Sequence, residues 1–143
     1  FININFLHIN KEKVQILDLG GKVNLGGQLH FWEKNDLFPK GIQRCFWITA
    51  VPKNETRGNH AHWKESQVLV AMHGVIQVEV HQPGQQAQSF TLDQPGKGLF
   101  VPPMHWVKTS FSTDAVLLGM SDREFSESDY IRDLAYFESL GSG

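Results

Sequence analysis

A series of short strand-like segments, separated by glycine and proline turns, runs through most of the chain and limits the folds open to it. Residues 14–19, 28–33 and 44–51 are rich in β-branched and aromatic side chains, and residues 75–80 alternate apolar with polar side chains. Strands that recur about every 8–12 residues are typical of β-sandwiches and barrels. The sequence therefore predicts an all-β fold.

Three segments carry more specific expectations. Residues 44–51 are predicted to form a central strand, because their aromatic content is high. Residues 60–72 are predicted to form one extended stretch that ends in a nearly continuous apolar run, which indicates burial on both faces. After Ser126 the pattern changes, and Ile131, Leu134 and Phe137 recur at helical spacing. A short amphipathic helix is predicted over residues 130–140.

Length, charge and cysteine content exclude several classes of protein. A chain of 143 residues predicts a single domain over residues 1–143. The net charge of −2 gives no general basic field, so we expect no nucleic-acid partner. No apolar run reaches the length of a membrane span, so we expect no membrane partner. The single cysteine, Cys45, is predicted to be a buried apolar residue and fits a reducing, cytoplasmic location.

The segment from Arg57 to His62 is the strongest functional signal. His60 and His62 are two residues apart, so on a strand their side chains point to the same face. Arg57 is close enough in sequence to reach the same cavity. Two imidazoles and a guanidinium inside a barrel predict a site for an anionic ligand with proton-transfer groups close by. The alternative is that the histidines only pack or form hydrogen bonds in the interior.

These residues also fit the cupin pattern. His60 and His62 are followed at the expected spacing by Gln67 and Gly74, but the position of the last cupin histidine is occupied by Val107. Metal-binding cupins hold a divalent ion with histidines and a glutamate, and a neutral amide is a poor substitute for that carboxylate. We therefore expect no metal. His105 keeps a third imidazole available, because an extended strand would place it on the same face as Val107.

A longer set of motifs resembles one family, the WxcM-like cupins, which are nucleotide-diphosphate-linked 4-keto-6-deoxyhexose 3,4-ketoisomerases. The resemblance covers residues 14–137. The motifs that carry it are Arg57-Gly58-x-His60-Ala61-His62, Gln67, Gly98-Leu99-x-x-Pro102-Pro103-Met104-x-Trp106, Phe111-Ser112-x-Asp114-Ala115-Val116-Leu117-Leu118 and Asp129-Tyr130-Ile131-Arg132.

The resemblance implies an RmlC-like jelly-roll barrel with a short C-terminal helix, which forms a homodimer and uses no cofactor. It implies a small-molecule nucleotide-sugar substrate of the dTDP-4-keto-6-deoxyglucose type, whose ketone moves from C4 to C3 through an enediol. The implied setting is the synthesis of deoxyamino sugars for bacterial cell-surface polysaccharide, such as lipopolysaccharide. By the same resemblance, His60 and His62 are the proton-transfer pair, and Arg57 contacts an anion or oxyanion.

Five further residues are predicted to bind substrate. Arg44 is a candidate for the pyrophosphate, with a surface ion pair as the alternative. Trp47 and Trp106 are candidates for stacking on a base or sugar, although most aromatic residues simply form core. Gln67 is a candidate partner for a substrate hydroxyl. His105 is a candidate substitute for the histidine that Val107 replaces.

The departures from the family pattern leave three functions open. Val107, Phe46 and Trp47 stand where relatives usually carry polar groups. The first hypothesis is a metal-independent ketoisomerase. The second is a sugar-nucleotide binder that lacks isomerase activity or acts on another sugar. The third is a metal-dependent cupin enzyme that uses His60, His62 and His105, with Gln67 as a weak ligand.

Overall fold

The computed structural model describes residues 10–142, which form antiparallel strands and one short helix. In chain order the elements are β1 (Gln15–Asp18), β2 (Gly20–Asn24), β3 (Gly27–Phe31), β4 (Arg44–Ile48), β5 (Thr56–His62), β6 (Gln67–His73), β7 (Ile76–His81), β8 (Gln88–Leu92), β9 (Lys97–Val101), β10 (Trp106–Phe111), β11 (Val116–Ser121), β12 (Tyr130–Ile131) and α1 (Leu134–Ser139). A single 3-10 turn, Glu127–Asp129, precedes β12.

The strands form two five-stranded sheets and a hairpin. The first sheet has the order β1-β9-β6-β11-β4, and the second has the order β12-β5-β10-β7-β8. Among the strands of the described residues, β2 and β3 pair only with each other. Apart from the consecutive pair β7 and β8, neighbours in each sheet come from distant parts of the chain, as expected when Greek-key connections fold two sheets onto each other. The predicted all-β jelly roll with a short C-terminal helix is confirmed.

The main core lies between the two sheets. Leu69 and Leu117 of the first sheet pack in the same cluster as Val78 and Val107 of the second. Strand β7 shows why: its apolar side chains point inward and its polar ones outward, in the alternation that the sequence predicts. Each fully buried aliphatic side chain contributes roughly 1.5–3 kcal/mol relative to exposure, so this layer accounts for much of the stability.

Each sheet is also covered on part of its outer face. Phe38, from the segment between β3 and β4, packs with Val70 and Phe100 on the outside of the first sheet. On the outside of the second sheet, Phe137 of α1 packs with Trp106. The C-terminal helix therefore holds the outer face of the strands that carry the histidine motif.

The prediction of a central strand over residues 44–51 is wrong, because β4 is an edge strand of the first sheet. Its residues alternate, so that Cys45 and Trp47 face solvent, and Trp47 is 69% exposed. Cys45 is an exposed free thiol and not the buried residue predicted. Aromatic and β-branched residues favour any half-buried pleated surface, so they do not distinguish a central strand from an edge.

Two other boundaries differ from the sequence prediction. Residues 60–72 are divided between β5 and β6 by a turn. The helix begins only at Leu134, where the Asp133 side chain accepts a hydrogen bond from the Tyr136 N–H at 3.1 Å. The preceding residues, Tyr130 and Ile131, pair with β5 as a strand. No helix within residues 10–142 is long and apolar enough to cross a membrane.

Candidate active site

A cavity of about 460 Å³ opens between the sheets, bordered by β4, β5, β10 and β12. One part of its wall is apolar and includes Phe46, Leu69, Val107 and Leu117. Another part is polar and carries a concentration of positive charge. The polar lining residues are Arg44, Arg57, His60, Gln67, Tyr130 and Arg132.

A β-bulge explains how Arg57 and His60 come to line the same cavity. Residues three apart on a regular strand point to opposite faces, but here Val107 pairs with His60 and the next residue, Lys108, pairs with Gly58. Asn59 is therefore an extra residue, and its φ of 56° fits that local distortion. Gly58 is required at the bulge: its φ is 85°, and a Cβ there would lie 2.7 Å from the Val107 carbonyl oxygen.

His60 has the features of a general base. Its Nδ1 lies 3.0 Å from the Gly58 carbonyl oxygen, which can only accept a hydrogen bond, so Nδ1 carries the proton. Nε2 is then the nitrogen with a free lone pair. Burial, with a smaller contribution from His62, lowers the His60 pKa from 6.5 to about 4. The ring is therefore neutral, and able to accept a proton, at pH 7.

His62 lies behind His60 and not on the cavity wall. It is 7% exposed, and its ring centroid is 4.9 Å from that of His60. Burial lowers its pKa to about 4; Asp129 opposes this shift, and Arg44 adds to it. The structure thus brings the predicted histidine pair together, but only His60 faces the space that a ligand can occupy.

Tyr130 covers both histidines. Its ring centroid is 4.8 Å from that of His60 and 4.4 Å from that of His62, and it is itself stacked under the Arg132 guanidinium at 4.3 Å. Backbone pairing of Tyr130 with His62 fixes this arrangement. Sequence reasoning assigned no site role to Tyr130 or Arg132, although both belong to the Asp-Tyr-Ile-Arg motif, because docking of a helix explained the motif equally well.

A buried carboxylate, Glu65, completes the polar cluster. One of its oxygens, Oε2, lies 2.5 Å from Gln67 Nε2, 3.1 Å from His62 Nε2 and 3.6 Å from an Arg44 nitrogen. Glu65 is a site residue that the motifs did not predict. The available signal was its spacing: it is two residues before Gln67, so the two side chains can share a face.

Arg44 and Trp47, which the sequence analysis proposes as substrate contacts, both border the cavity. The Arg44 guanidinium carbon is 5.2 Å from the Phe46 ring centroid and 5.5 Å from that of Phe125. Arg44 Nε is buried without a hydrogen-bond partner among the residues described. The cation is held by aromatic faces and keeps donors available for an anionic group.

The structure does not bring His105 and Trp106 to this cavity. Trp106 packs on Phe137 at a centroid distance of 5.5 Å, on the opposite face of β10. His105 is buried, and its Nδ1 donates to the Pro103 carbonyl oxygen at 2.9 Å. Strand β10 begins only at Trp106, and Met104 has a φ of 59°. The alternation of side chains along β10 therefore does not extend back to His105, and His105 does not lie beside Val107.

Because His105 lies away from the cavity, it does not supply the third imidazole that the metal-cupin hypothesis requires. Within residues 10–142, no group of three histidine, cysteine, aspartate or glutamate side chains is arranged to hold a metal ion. Gln67 is already engaged with Glu65. The donor groups around His60 and His62 therefore do not fit the metal site that the third hypothesis requires.

Comparison with known proteins agrees with this architecture. The family described as "FdtA: WxcM-like, C-terminal" matches residues 12–141. A curated relative, the TDP-4-oxo-6-deoxy-alpha-D-glucose-3,4-oxoisomerase of Aneurinibacillus thermoaerophilus, is 37% identical over 113 residues, which are 78% of this chain and 81% of the relative.

Solved structures of sugar ketoisomerases have the same fold. QdtA from Thermoanaerobacterium thermosaccharolyticum, a sugar 3,4-ketoisomerase crystallised with TDP, has a TM-score of 0.84 and 28% identity over 90% of this chain and 94% of its own. A 3,4-ketoisomerase from Helicobacter canadensis has a TM-score of 0.84 and 30% identity over 91% and 98%. From the family match and the curated relative together, the chain belongs to the WxcM-like family.

Proposed function

We propose that this protein is a nucleotide-sugar 3,4-ketoisomerase, which converts a dTDP-4-keto-6-deoxyhexose to the 3-keto isomer in deoxysugar biosynthesis. The observation that carries the proposal is His60: a neutral imidazole with a free Nε2, placed on the wall of a cationic cavity. The activity of the curated relative and of the solved structures supports the same reaction.

The reaction moves two protons and needs no external oxidant. His60 Nε2 removes the proton on C3, whose acidity comes from the neighbouring C4 ketone. A double bond forms between C3 and C4, and O4 takes up the negative charge. His60, now protonated on Nε2, exchanges that proton with solvent and donates a proton to C4, which regenerates the neutral base. The O3 proton is transferred to O4, which leaves the ketone at C3 and a hydroxyl at C4.

The remaining cavity residues have roles that follow from their charge and position. Arg57 is the cation nearest in sequence to the base and stabilises the developing enediolate oxygen. Arg44 at the open end binds the diphosphate, and the exposed Trp47 ring stacks on the base or sugar. Gln67 orients a sugar hydroxyl. His62 acts through His60, because it does not reach the cavity.

A second candidate function is a sugar-nucleotide binder without isomerase activity, or one that acts on another sugar. The specific observation in its favour is the apolar wall, where Phe46 and Val107 lie opposite the polar groups and offer no proton donor. Such a protein would bind the substrate with the same arginines but would lack an acid for C4.

We also propose that the chain works as a cytoplasmic homodimer and folds as one domain. The outer face of the first sheet carries an apolar groove of about 430 Å³, which includes Phe31 and Met72 at 51% and 48% exposure. A second copy that covers this groove would bury both side chains. The exposed thiol of Cys45 fits a reducing compartment.

The deciding experiment is proton NMR of chelator-treated protein mixed with dTDP-4-keto-6-deoxyglucose in deuterated buffer. We expect a 3-keto product with deuterium at C4. Binding of the substrate without conversion would reject the isomerase and favour the second candidate. Conversion only after a divalent metal is restored would instead support the metal-dependent enzyme.

A further inference from the structure

The buried carboxylate of Glu65 has no part in the proton transfer described so far. The residue is 2% exposed, and its Oε2 is 3.1 Å from His62 Nε2. We propose that Glu65 is a positioning residue that acts through His62: it holds the proton of His62 on Nε2 and provides the negative charge that stabilises an imidazolium in the pair. This inference rests on the proposed function and adds a third member to its proton-transfer group.

Within residues 10–142, the Glu65 carboxylate is the acceptor available to His62 Nε2. The nitrogen is fully buried and has no partner of hydrogen-bond geometry within the described residues, so the Glu65 carboxylate oxygen at 3.1 Å is the acceptor within reach. A small rotation of the ring converts this close contact into a hydrogen bond, since such bonds are often poorly aligned until a ligand completes the site. A carboxylate can only accept, so the contact selects the tautomer of His62 with Nε2–H.

The turn between β5 and β6 fixes Glu65 firmly. The Asp129 carboxylate accepts hydrogen bonds from the backbone N–H groups of Lys64 at 2.9 Å and Glu65 at 3.0 Å. The Asp129 carbonyl oxygen accepts a third from the Trp63 N–H at 2.9 Å. Tyr130, the next residue along, covers both histidine rings. One segment therefore positions the carboxylate behind the pair and the aromatic ring over it.

A purely structural ion pair with Arg44 explains Glu65 less well. Arg44 is the most distant of the three partners of Oε2, at 3.6 Å, and its guanidinium lies between aromatic rings at the mouth of the cavity. Gln67 is neutral. A carboxylate that is desolvated this completely is costly unless a charge pairs with it. Arg44 at 3.6 Å offsets part of that cost in the resting protein, and an imidazolium that forms at His60 or His62 during the reaction adds a second positive charge close to Glu65.

The electrostatics of the pair point the same way. Burial lowers the pKa of both histidines, so uptake of a proton is costly, and the Glu65 carboxylate partly opposes this at His60. The other charged and titratable groups that face the pair are Arg44, Asp129, Tyr130 and Arg132, of which the two arginines disfavour protonation. Removal of the Glu65 charge should therefore lower the His60 pKa further and make proton uptake harder.

The test is Glu65→Gln, which keeps the shape and loses the charge. In wild type and variant, the histidines are labelled with ¹⁵N and titrated by NMR without substrate, and the pH profile of kcat is recorded with substrate. We expect the Nε2–H tautomer of His62 in wild type. In the variant we expect a lower His60 pKa, an acid limb of kcat shifted to lower pH, a kcat reduced about 10- to 100-fold and a KM within twofold.

Glu138→Gln is the matched control. Glu138 is also a glutamate in contact with a histidine, at 2.7 Å from His81 Nε2, and it does not line the cavity. This variant should leave kcat and the His60 titration unchanged. An unchanged His60 pKa and an unchanged kcat in a folded Glu65→Gln protein would overturn the proposal.

Two further outcomes are also decisive. If Glu65→Gln does not fold, Glu65→Asp is the second variant. Its carboxylate lies one methylene further from His62, so we expect a His60 pKa and a kcat that differ from wild type. Wild-type values of both would overturn the inference. If wild type does not convert the keto sugar, the proposed function fails. The NMR titration then still determines whether Glu65 controls the histidine pair.

Discussion

The inner cavity and the groove on the outer face of the first sheet are nearly equal in volume, about 460 and 430 Å³, yet they differ completely in chemistry. The cavity gathers three arginines, an imidazole, an amide and a phenol. The groove lies between the β2–β3 hairpin and the first sheet, and it is lined mainly by apolar residues such as Phe31, Val70, Met72 and Leu118. Concave shape alone therefore does not identify the site.

The difference lies in how each lining is built. The polar groups of the cavity come from several strands, and local geometry explains the direction of two of them: the bulge at Asn59 for Arg57 and strand pairing for Tyr130. In the groove, Phe31 and Met72 are exposed apolar side chains, and they lie beside buried apolar residues of the first sheet such as Val70. The cavity is organised for chemistry, and the groove is a surface that requires cover.

The largest effect should come from removal of the base in the cavity. His60→Asn keeps a polar side chain of similar size but has no basic nitrogen. We expect kcat to fall about 10²–10⁴-fold, the range that one general base contributes, while the melting temperature changes by only a few degrees. Turnover of dTDP-4-keto-6-deoxyglucose by NMR and thermal unfolding measure the two quantities.

His30 provides the control from the other region, because it lines the outer groove. His30→Asn should retain wild-type turnover. If both variants were as active as wild type, the cavity would not be the catalytic site. If His30→Asn alone were inactive, the assignment of the two regions would be reversed.

The next effect concerns stability and pH. The pKa of His62 is lowered from 6.5 to about 4, so between these values the unfolded chain binds more protons than the folded one. The contribution of neutral His62 to the free energy of unfolding is therefore fully present above pH 6.5, and it is lost as the pH drops towards 4. One pKa unit corresponds to 1.36 kcal/mol, so the loss attributable to His62 is about 3 kcal/mol.

Urea unfolding at pH 7.5 and pH 4.5 measures this loss, and His62→Asn removes the titrating group. The variant should lose stability more gently on acidification than wild type, with most of the difference gone at pH 4.5. Parallel losses in the two proteins would contradict the assignment of His62 as a buried neutral imidazole.

Much of this architecture follows from alternation, which depends on sequence alone. The pattern of β7 gave the correct inward face, and the spacing of His60 and His62 correctly placed both rings on one side of β5. Local turn chemistry and strand periodicity are encoded by neighbouring residues, so they can be recognised without any knowledge of the partners.

The errors arose where distant residues decide the outcome. His105 was expected beside Val107, but the backbone at Met104 breaks the alternation before β10 begins. Glu65 gained its importance only through the fold, because residue 129 holds its turn from the far end of the chain. The spacing from Gln67 indicates that Glu65 can share its face, but no spacing rule connects positions 65 and 129, so the contacts that fix the turn could not be predicted.

The smallest effect on turnover should come from a charge placed in the outer groove. Met72→Lys puts an ammonium group at the centre of the surface proposed to pair with a second copy, where desolvation would cost several kcal/mol. Sedimentation should show a dimer in wild type and a monomer in the variant, while kcat per chain stays within twofold. Gln77→Lys, which adds the same charge on an exposed position of β7, should remain dimeric.

A dimeric Met72→Lys protein would show that copies pair elsewhere. A monomer with greatly reduced kcat would show that the two regions are not independent, because the groove would then be supporting the cavity across the first sheet.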